Sequence, residues 1–294
     1  MDYKNKGILY SVSASLLFGL SPVFIRLMLG SVNIETLNVL LTAFSTSFFV
    51  IVLFLSKRTL HFKVIFRNWK KVGLLGFVTA AFSLVYVYGI HVSGPNNAAF
   101  LLQFATVFTI MFGVVFLKER FTKVEGLGIL VAVVGVFVLA YGNLSVEVAG
   151  TLILLCASLL GAVSGLLSKV YVKDVNPFAL AGGNSMFVCL FIFLYVFIIG
   201  KLEVTFPPEA VFYAVLASLL TVVFSFILLY KALEVYEVSK TATIRTMEPF
   251  FTVIFSFAIL ALSPTLNQLY GGILIIVGVV ILSLTKARFK DSRN

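Results

Sequence analysis

"TIRTMEPFF", residues 243–251, sets Arg245, Glu248 and Pro249 within five positions of an otherwise apolar stretch ending at Leu262. A helix facing lipid should avoid all three. Proline removes a backbone donor, here the one that would reach the Arg245 carbonyl four residues back. Insertion of a central Arg, Lys or Asp costs about 2.5–3.5 kcal/mol, and Glu should be comparable. Thr241, Arg245, Glu248, Thr252 and Ser256 follow spacings of four, three, four and four, which is one stripe of a helix. So polar a stripe should face a wet cavity or another helix.

The rest of the chain says which solvent surrounds that helix. Of 294 residues, 61% are hydrophobic and 12% charged, about half the charged fraction of a soluble domain. Apolar segments cover roughly residues 7–29, 34–56, 72–92, 94–117, 124–142, 149–172, 178–199, 211–234, 238–262 and 267–286. Each is near the ~20 residues that cross a ~30 Å hydrocarbon core as a helix, and helices satisfy their own backbone groups in lipid. The first segment is too long for a signal-peptide core and is expected to stay uncleaved. Cys156 and Cys189 lie in separate apolar runs and form neither ligand spacing nor a disulfide framework.

Charge sets the orientation. Nineteen of the 22 Lys and Arg fall at the two termini or in segments on one side of the alternation, among them 57–71 and 231–240. Lys201 is alone on the other side, and Arg26 and Arg245 lie inside spans. The positive-inside rule then places both termini in the cytoplasm, with the plasma (inner) membrane the expected location. The net charge of +10 belongs to short loops facing an anionic cytoplasmic leaflet. No folded basic module suited to nucleic acid is present. "KRTLHFKVIFRNWKK", residues 57–71, spaces Phe62, Phe66 and Trp69 among its cations as an interfacial segment would.

An offset of 143 positions aligns the chain with itself. Gly7 meets Gly150, "ASLL" at 14–17 meets "ASLL" at 157–160, Val32-Asn33 meets Val175-Asn176, and Phe108-Thr109 meets Phe251-Thr252. Gly128 and Gly135 meet Gly271 and Gly278. Five spans per copy is an odd number, so the second copy must enter the membrane upside down. The expected fold is an all-α polytopic membrane protein of ten transmembrane helices in two inverted five-helix repeats, residues 1–143 and 144–294. In secondary transporters built this way the substrate site lies near the midplane between repeats.

"FLKERFTKVEGLGILVAVVGVFVL" at 116–139 and "MEPFFTVIFSFAILALSPTLNQLYGGILIIVGVVIL" at 247–282 resemble the two copies of the EamA module in the drug/metabolite transporter superfamily. Met247-Glu248-Pro249 stands where that family often has Leu-Glu-Pro, and Glu119-Arg120 matches its acidic-basic pair at the end of the fourth helix. The second copy has Leu262 and Ser263 at the corresponding positions, which suggests a helix-end role for Glu119. The resemblance implies secondary transport of small metabolites, amino acids among them, by alternating access. Export of an amino acid or related zwitterion is the expected activity, with proton or ion coupling possible and no cofactor.

Two readings of Arg245 and Glu248 stay open. They form an internal ion pair that holds helices together, or they bind the carboxylate and ammonium of a zwitterion. Their first-repeat equivalents are Leu102 and Ala105, so the charges are asymmetric. Thr241 and Thr252 share their stripe, and Gln103 and Thr106, one turn apart in the fourth span, could line the opposite wall. Asn96 and Asn97 read as capping residues, Arg26 and Lys169 as snorkelling cations, and Tyr86, Tyr88 and Tyr230 as belt aromatics. Gly128, Gly135 and Gly142 read as a packing seam.

Other function classes fit less well. Aspartate occurs only at positions 2, 174 and 291, which excludes an intramembrane paired-aspartate protease. Ser164 lacks the hydrolase G-x-S-x-G context. No phosphate-binding G-x-x-x-x-G-K-[ST] is present. A channel or facilitator is the chief alternative to a carrier.

Overall fold

The structure is a computed structural model of the chain and describes residues 3–55, 60–117, 122–140, 146–171, 174–175, 177–203, 205–235 and 244–291. In the first half, α1 (Tyr3–Gly19) and α2 (Ser21–Met28) are followed by α3 (Ile34–Leu55), α4 (Leu60–Arg67) and α5 (Trp69–Leu102). α6 (Phe104–Leu117) and α7 (Lys123–Ala140) complete it. The second half begins with α8 (Val146–Tyr171), α9 (Pro177–Ile199) and α10 (Pro208–Ala217). A π-helix, Ser218–Phe224, joins α10 to α11 (Ser225–Val235), and α12 (Glu248–Leu260) and α13 (Leu266–Asp291) end the chain. No strand occurs among the described residues.

Among the described residues, six helical segments are long and apolar enough to cross a membrane, and Glu248–Leu260 and Leu266–Leu282 are shorter apolar helices. The expected segments therefore do not map one to one onto helices. The first is divided at Leu20, ahead of Pro22 in the first turn of α2. The third and fourth run together as α5, which bends at Gly94. There φ is +80°, a left-handed conformation that glycine adopts without strain. Phe137, Phe197, Ile198 and Leu266 stand exposed along the outside, as lipid-facing side chains do.

α7 and α13 form the most extensive helix pair, and its cause is the glycine seam. A β-carbon added to Gly135 would lie 2.7 Å from the Gly271 carbonyl oxygen, and one on Gly128 2.9 Å from that of Gly278. Only glycine permits so close a backbone approach. An early glycine of each helix thus meets a late glycine of the other, so the pair is antiparallel. Helices equivalent by the repeat but antiparallel in space are related by a two-fold axis perpendicular to them, which is the inverted arrangement. Gly142 lies outside the described residues.

The two helices also start alike. The Thr122 N–H donates to Glu125 Oε2 (2.8 Å) and the Glu125 N–H to Thr122 Oγ1 (3.2 Å). One repeat later, Thr265 and Gln268 exchange the same two bonds at 3.1 and 3.2 Å. These are reciprocal capping boxes, T-x-x-E and T-x-x-Q.

α4 falls within the basic segment 57–71 and leaves Phe66 and Trp69 beside it exposed, as an interfacial segment should.

Candidate functional site

Between the two halves lies a cavity of about 1160 Å³. Its walls come from the middle of α3 (Thr42, Ser45, Phe49), the first half of α5 (Leu75 to Tyr86) and the end of α8 (Ser164, Ser168). The first half of α9 (Leu180 to Val188) and the run Thr221–Lys231 close the ring. All these helix ends lie on the side of the bundle where the chain begins. At the opposite end Met28, Val32, Leu37, Ile90, Ala210 and Ala214 are buried in one apolar cluster, which plugs the bundle. By the repeat, Leu180 corresponds to Leu37 and Lys71 to Ala214, yet Leu180 lines the cavity and the Lys71 side chain is 45% exposed. Leu180 and Leu37 are both buried, Leu37 in the plug and Leu180 in a smaller cluster with Ile65, Val72 and Leu75. Lys71 pairs with Asp174 at 2.6 Å, so the two ends are closed to different extents.

Arg245, Glu248 and Thr252 stand on the cavity wall. The Arg245 Nε–H donates to Glu248 Oε1 at 2.7 Å, and the guanidinium carbon lies 4.9 Å from the centre of the Phe18 ring, a cation–π distance. The Glu248 side chain is 17% exposed and that of Arg245 40%. A paired charge with one wet flank is neither an orphan nor a sealed core bridge.

Thr252 belongs to the wall and to the packing. Its hydroxyl donates within a shared geometry to the carbonyls of Gly19 (2.9 Å) and Glu248 (3.2 Å). α12 crosses α1 at Gly19, where an added β-carbon would lie 2.8 Å from Phe251 Cβ. Ser256, further along the stripe, is buried. Gln103 lines the cavity, whereas Thr106 is half-buried on α6 and is not among the lining residues. Thr241 lies outside the described residues, as do Glu119, Arg120 and the Tyr230 and Lys169 side chains.

The helix break at this wall has a twin. Ile244 and Arg245 are helical, Thr246 and Met247 form a turn, and α12 starts at Glu248 with Pro249 in its first turn. One repeat earlier, α5 ends at Leu102, Gln103 turns and α6 starts at Phe104. Both use tightened i to i−3 bonds: Met247 N–H to Ile244 O (3.0 Å), and Gln103 N–H to Phe100 O (3.2 Å). Thr106 occupies the position of Pro249 in the first copy. Proline is therefore not the sole cause of the break. In the first copy the Ser158 hydroxyl donates to the Leu101 carbonyl at 2.8 Å, satisfying an acceptor beside the turn.

Several sequence expectations need correction. Tyr86 is 8% exposed and lines the cavity; burial of its ring against Phe82, stacked at 5.5 Å, overrides a belt position. Lys231, counted with the cations of the cytoplasmic side although it falls within the apolar segment 211–234, lies on α11 and lines the cavity. Asn96 and Asn97 are buried, and neither Oδ1 has a hydrogen-bond partner among the described residues, so these atoms cap nothing there; they follow Pro95 inside α5. Arg26, besides being exposed, donates to the His91 carbonyl at 3.4 Å, an acceptor that Pro95 leaves without its usual helical donor.

The sequence reading missed the hydroxyl-rich lining. Thr79 and Ser164 Oγ atoms are 2.9 Å apart, as are those of Thr46 and Ser185. The Ser83 hydroxyl donates to Asn38 Oδ1 at 2.8 Å. Ser, Thr and Asn spaced along one face of an apolar span were the available signal. The π-helix that carries Thr221 left no such signal.

The far side is clasped. Asn33 caps α3, its Oδ1 accepting from the Thr36 N–H at 2.7 Å, while its Nδ2 donates to the Lys201 carbonyl at 2.9 Å. The Glu203 N–H donates to Thr36 Oγ1 at 3.0 Å, and Lys201 Nζ lies 3.3 Å from Glu35 Oε1. These bonds tie the start of α3 in the first half to the segment after α9 in the second.

The sequence profile described as the EamA-like transporter family matches residues 5–141 and again 148–284. A protein of Methanothermobacter thermautotrophicus called an uncharacterized transporter is 25% identical over 298 residues, covering 94% of this chain and 85% of its own length. One from Archaeoglobus fulgidus, likewise called an uncharacterized transporter, is 28% identical across 74% of this chain and 69% of itself. The uncharacterized transporter YyaM of Bacillus subtilis is 25% identical across 72% and 71%. A solved crystal structure superposes with a TM-score of 0.69 at 15% identity, covering 95% of this chain and 98% of that one, so the fold is shared. Family, helical architecture and a cavity that sets a few charged and hydroxyl groups inside an apolar bundle agree: the chain is an integral membrane protein and belongs to the EamA-like transporter family.

Proposed function

We propose that this protein is a secondary transporter that carries an amino acid or related zwitterion, in the direction of export, by alternating access. The single observation behind this reading is the cavity between the repeats, plugged at one end, with a half-wet Arg245–Glu248 pair on its wall. Arg245 takes the substrate carboxylate and Glu248 the ammonium. The internal pair is exchanged for two external ones, so the charges stay compensated throughout. Gln103 and the hydroxyls of Thr42, Thr79 and Thr221 supply polar contacts.

The two repeats, residues 1–143 and 144–294, are the moving parts. Basic loops put both termini in the cytoplasm of a plasma (inner) membrane and against its anionic leaflet, so the cavity of this conformer faces inward. Exchange of the two repeats' conformations opens the plugged end, with Glu248 available for proton coupling when the pair opens. Counter-flow into proteoliposomes tests the reading. Labelled amino acid should accumulate only when unlabelled solute is preloaded. Flux that does not saturate would mark a channel, and no flux with any amino acid would overturn the substrate class.

A further inference from the structure

All three charged side chains that line the cavity among the described residues, Lys231, Arg245 and Glu248, belong to the second repeat. Two of them cancel: Arg245 and Glu248 pair at 2.7 Å. Lys231 is exposed and has no ion-pair partner among the described residues. Its repeat equivalent is Tyr88, so the first half places no charge at that position. Among the described residues the cavity lining therefore carries one excess positive charge between apolar walls, where low-dielectric surroundings strengthen the field on a solute. Its volume of about 1160 Å³ also exceeds the usual 300–1,000 Å³ of a small-molecule site, leaving room beyond a carboxylate and an ammonium.

We infer that the substrate carries one more negative than positive charge: an amino acid or similar metabolite with a second acidic group, which Lys231 binds. This rests on the proposed reading of the cavity as the substrate site. Arg245 and Glu248 hold the zwitterionic end. The ammonium of Lys231, on its flexible stem, neutralises the second acid and disfavours cationic solutes. The Ser168 hydroxyl, on the same cavity lining, donates to one of the acid's remaining lone pairs.

The test is thermal-shift titration of the purified full-length protein with L-glutamate, L-glutamine, L-lysine and glutarate at constant ionic strength. Glutamate should bind about tenfold tighter than glutamine. Lys231→Gln should bring the two within about twofold and Lys231→Arg should keep the preference, the unliganded melting temperature reporting that each variant is folded. Equal binding of glutamate and glutamine to the wild-type protein, or an equal loss of both in Lys231→Gln, would overturn the inference and leave the zwitterion site standing. Binding of glutarate without either neutral or acidic amino acid would sustain the anionic preference and overturn the zwitterion site. Absence of a shift with every solute would overturn both.

Discussion

Gly135 and Gly271 meet backbone to backbone across the two halves, each standing where the other's β-carbon would be 2.7 Å from its carbonyl oxygen. A methyl group there has nowhere to go, since the contact is main chain rather than the end of a flexible side chain. Gly135→Ala should lose roughly 1–3 kcal/mol, the usual penalty of overpacking. Gly165 is the control: it is helical, and an added β-carbon would meet nothing within 4 Å. Gly165→Ala should be neutral or gain up to about 1 kcal/mol from helix propensity. Thermal melts in detergent compare the two directly, and equal shifts would contradict the seam.

The recurrence of the helix break predicts tolerance at Pro249. Because Gln103 turns without a proline three residues on, Pro249→Ala should fold, with a melting temperature close to wild type and most of its flux. Proline in the first helical turn gives up a donor that is unpaired anyway. Loss of all flux from a well-folded variant would assign the proline a role the first repeat does not need.

Breaking the far-side clasp should bias the protein toward opening at the plug. Asn33→Ala removes both the α3 cap and the bond to the Lys201 carbonyl. In a background lacking Cys156 and Cys189, a cysteine at Ala210, buried at 0%, reports opening through labelling by an impermeant thiol reagent. Labelling should be slow with Asn33 present and several-fold faster without it, given that loss of a cap costs about 1 kcal/mol. Unchanged labelling would mean that the apolar plug alone holds this end shut.

Orientation is checked by single cysteines at positions 60, 145 and 204 in the same background. In intact cells the impermeant reagent should spare position 60 and reach 145 and 204. The reverse pattern would invert the assignment of the cavity to the cytoplasmic side.

Much of the architecture was legible from residues alone. The 143-residue offset and the odd number of spans per copy required inversion, and the antiparallel Gly128–Gly278 and Gly135–Gly271 contacts are its physical form. The stripe of Arg245, Glu248 and Thr252 was legible because charge in an apolar run is costly enough to need a reason. Helix ends were less so. Lys231 was counted as a side-defining cation because Lys near the end of an apolar segment usually marks the membrane face, yet on a helix it can equally line a wet cavity. Tyr86 was misplaced because an amphipathic ring suits both a membrane interface and a cavity wall, and only packing against Phe82 separates them. The π-helix left no mark in composition, since it reflects how backbone bonds shift by one residue rather than which residues are present.

The most direct measurement is counter-flow and thermal stability of the double variant Arg245→Leu/Glu248→Ala, which copies the first repeat's Leu102 and Ala105 into the second. Removing one charge alone confounds the readings, because it strands its partner; with Arg245 40% exposed that penalty falls below the ~3–5 kcal/mol of a fully buried pair. Removing both takes away the desolvation cost along with the attraction, so the protein should stay folded whichever role the pair plays. If the pair is the substrate site, the double variant melts at or above the wild-type temperature and shows no saturable counter-flow. Near wild-type counter-flow in the same folded protein would show the pair to be structural and would contradict the assignment.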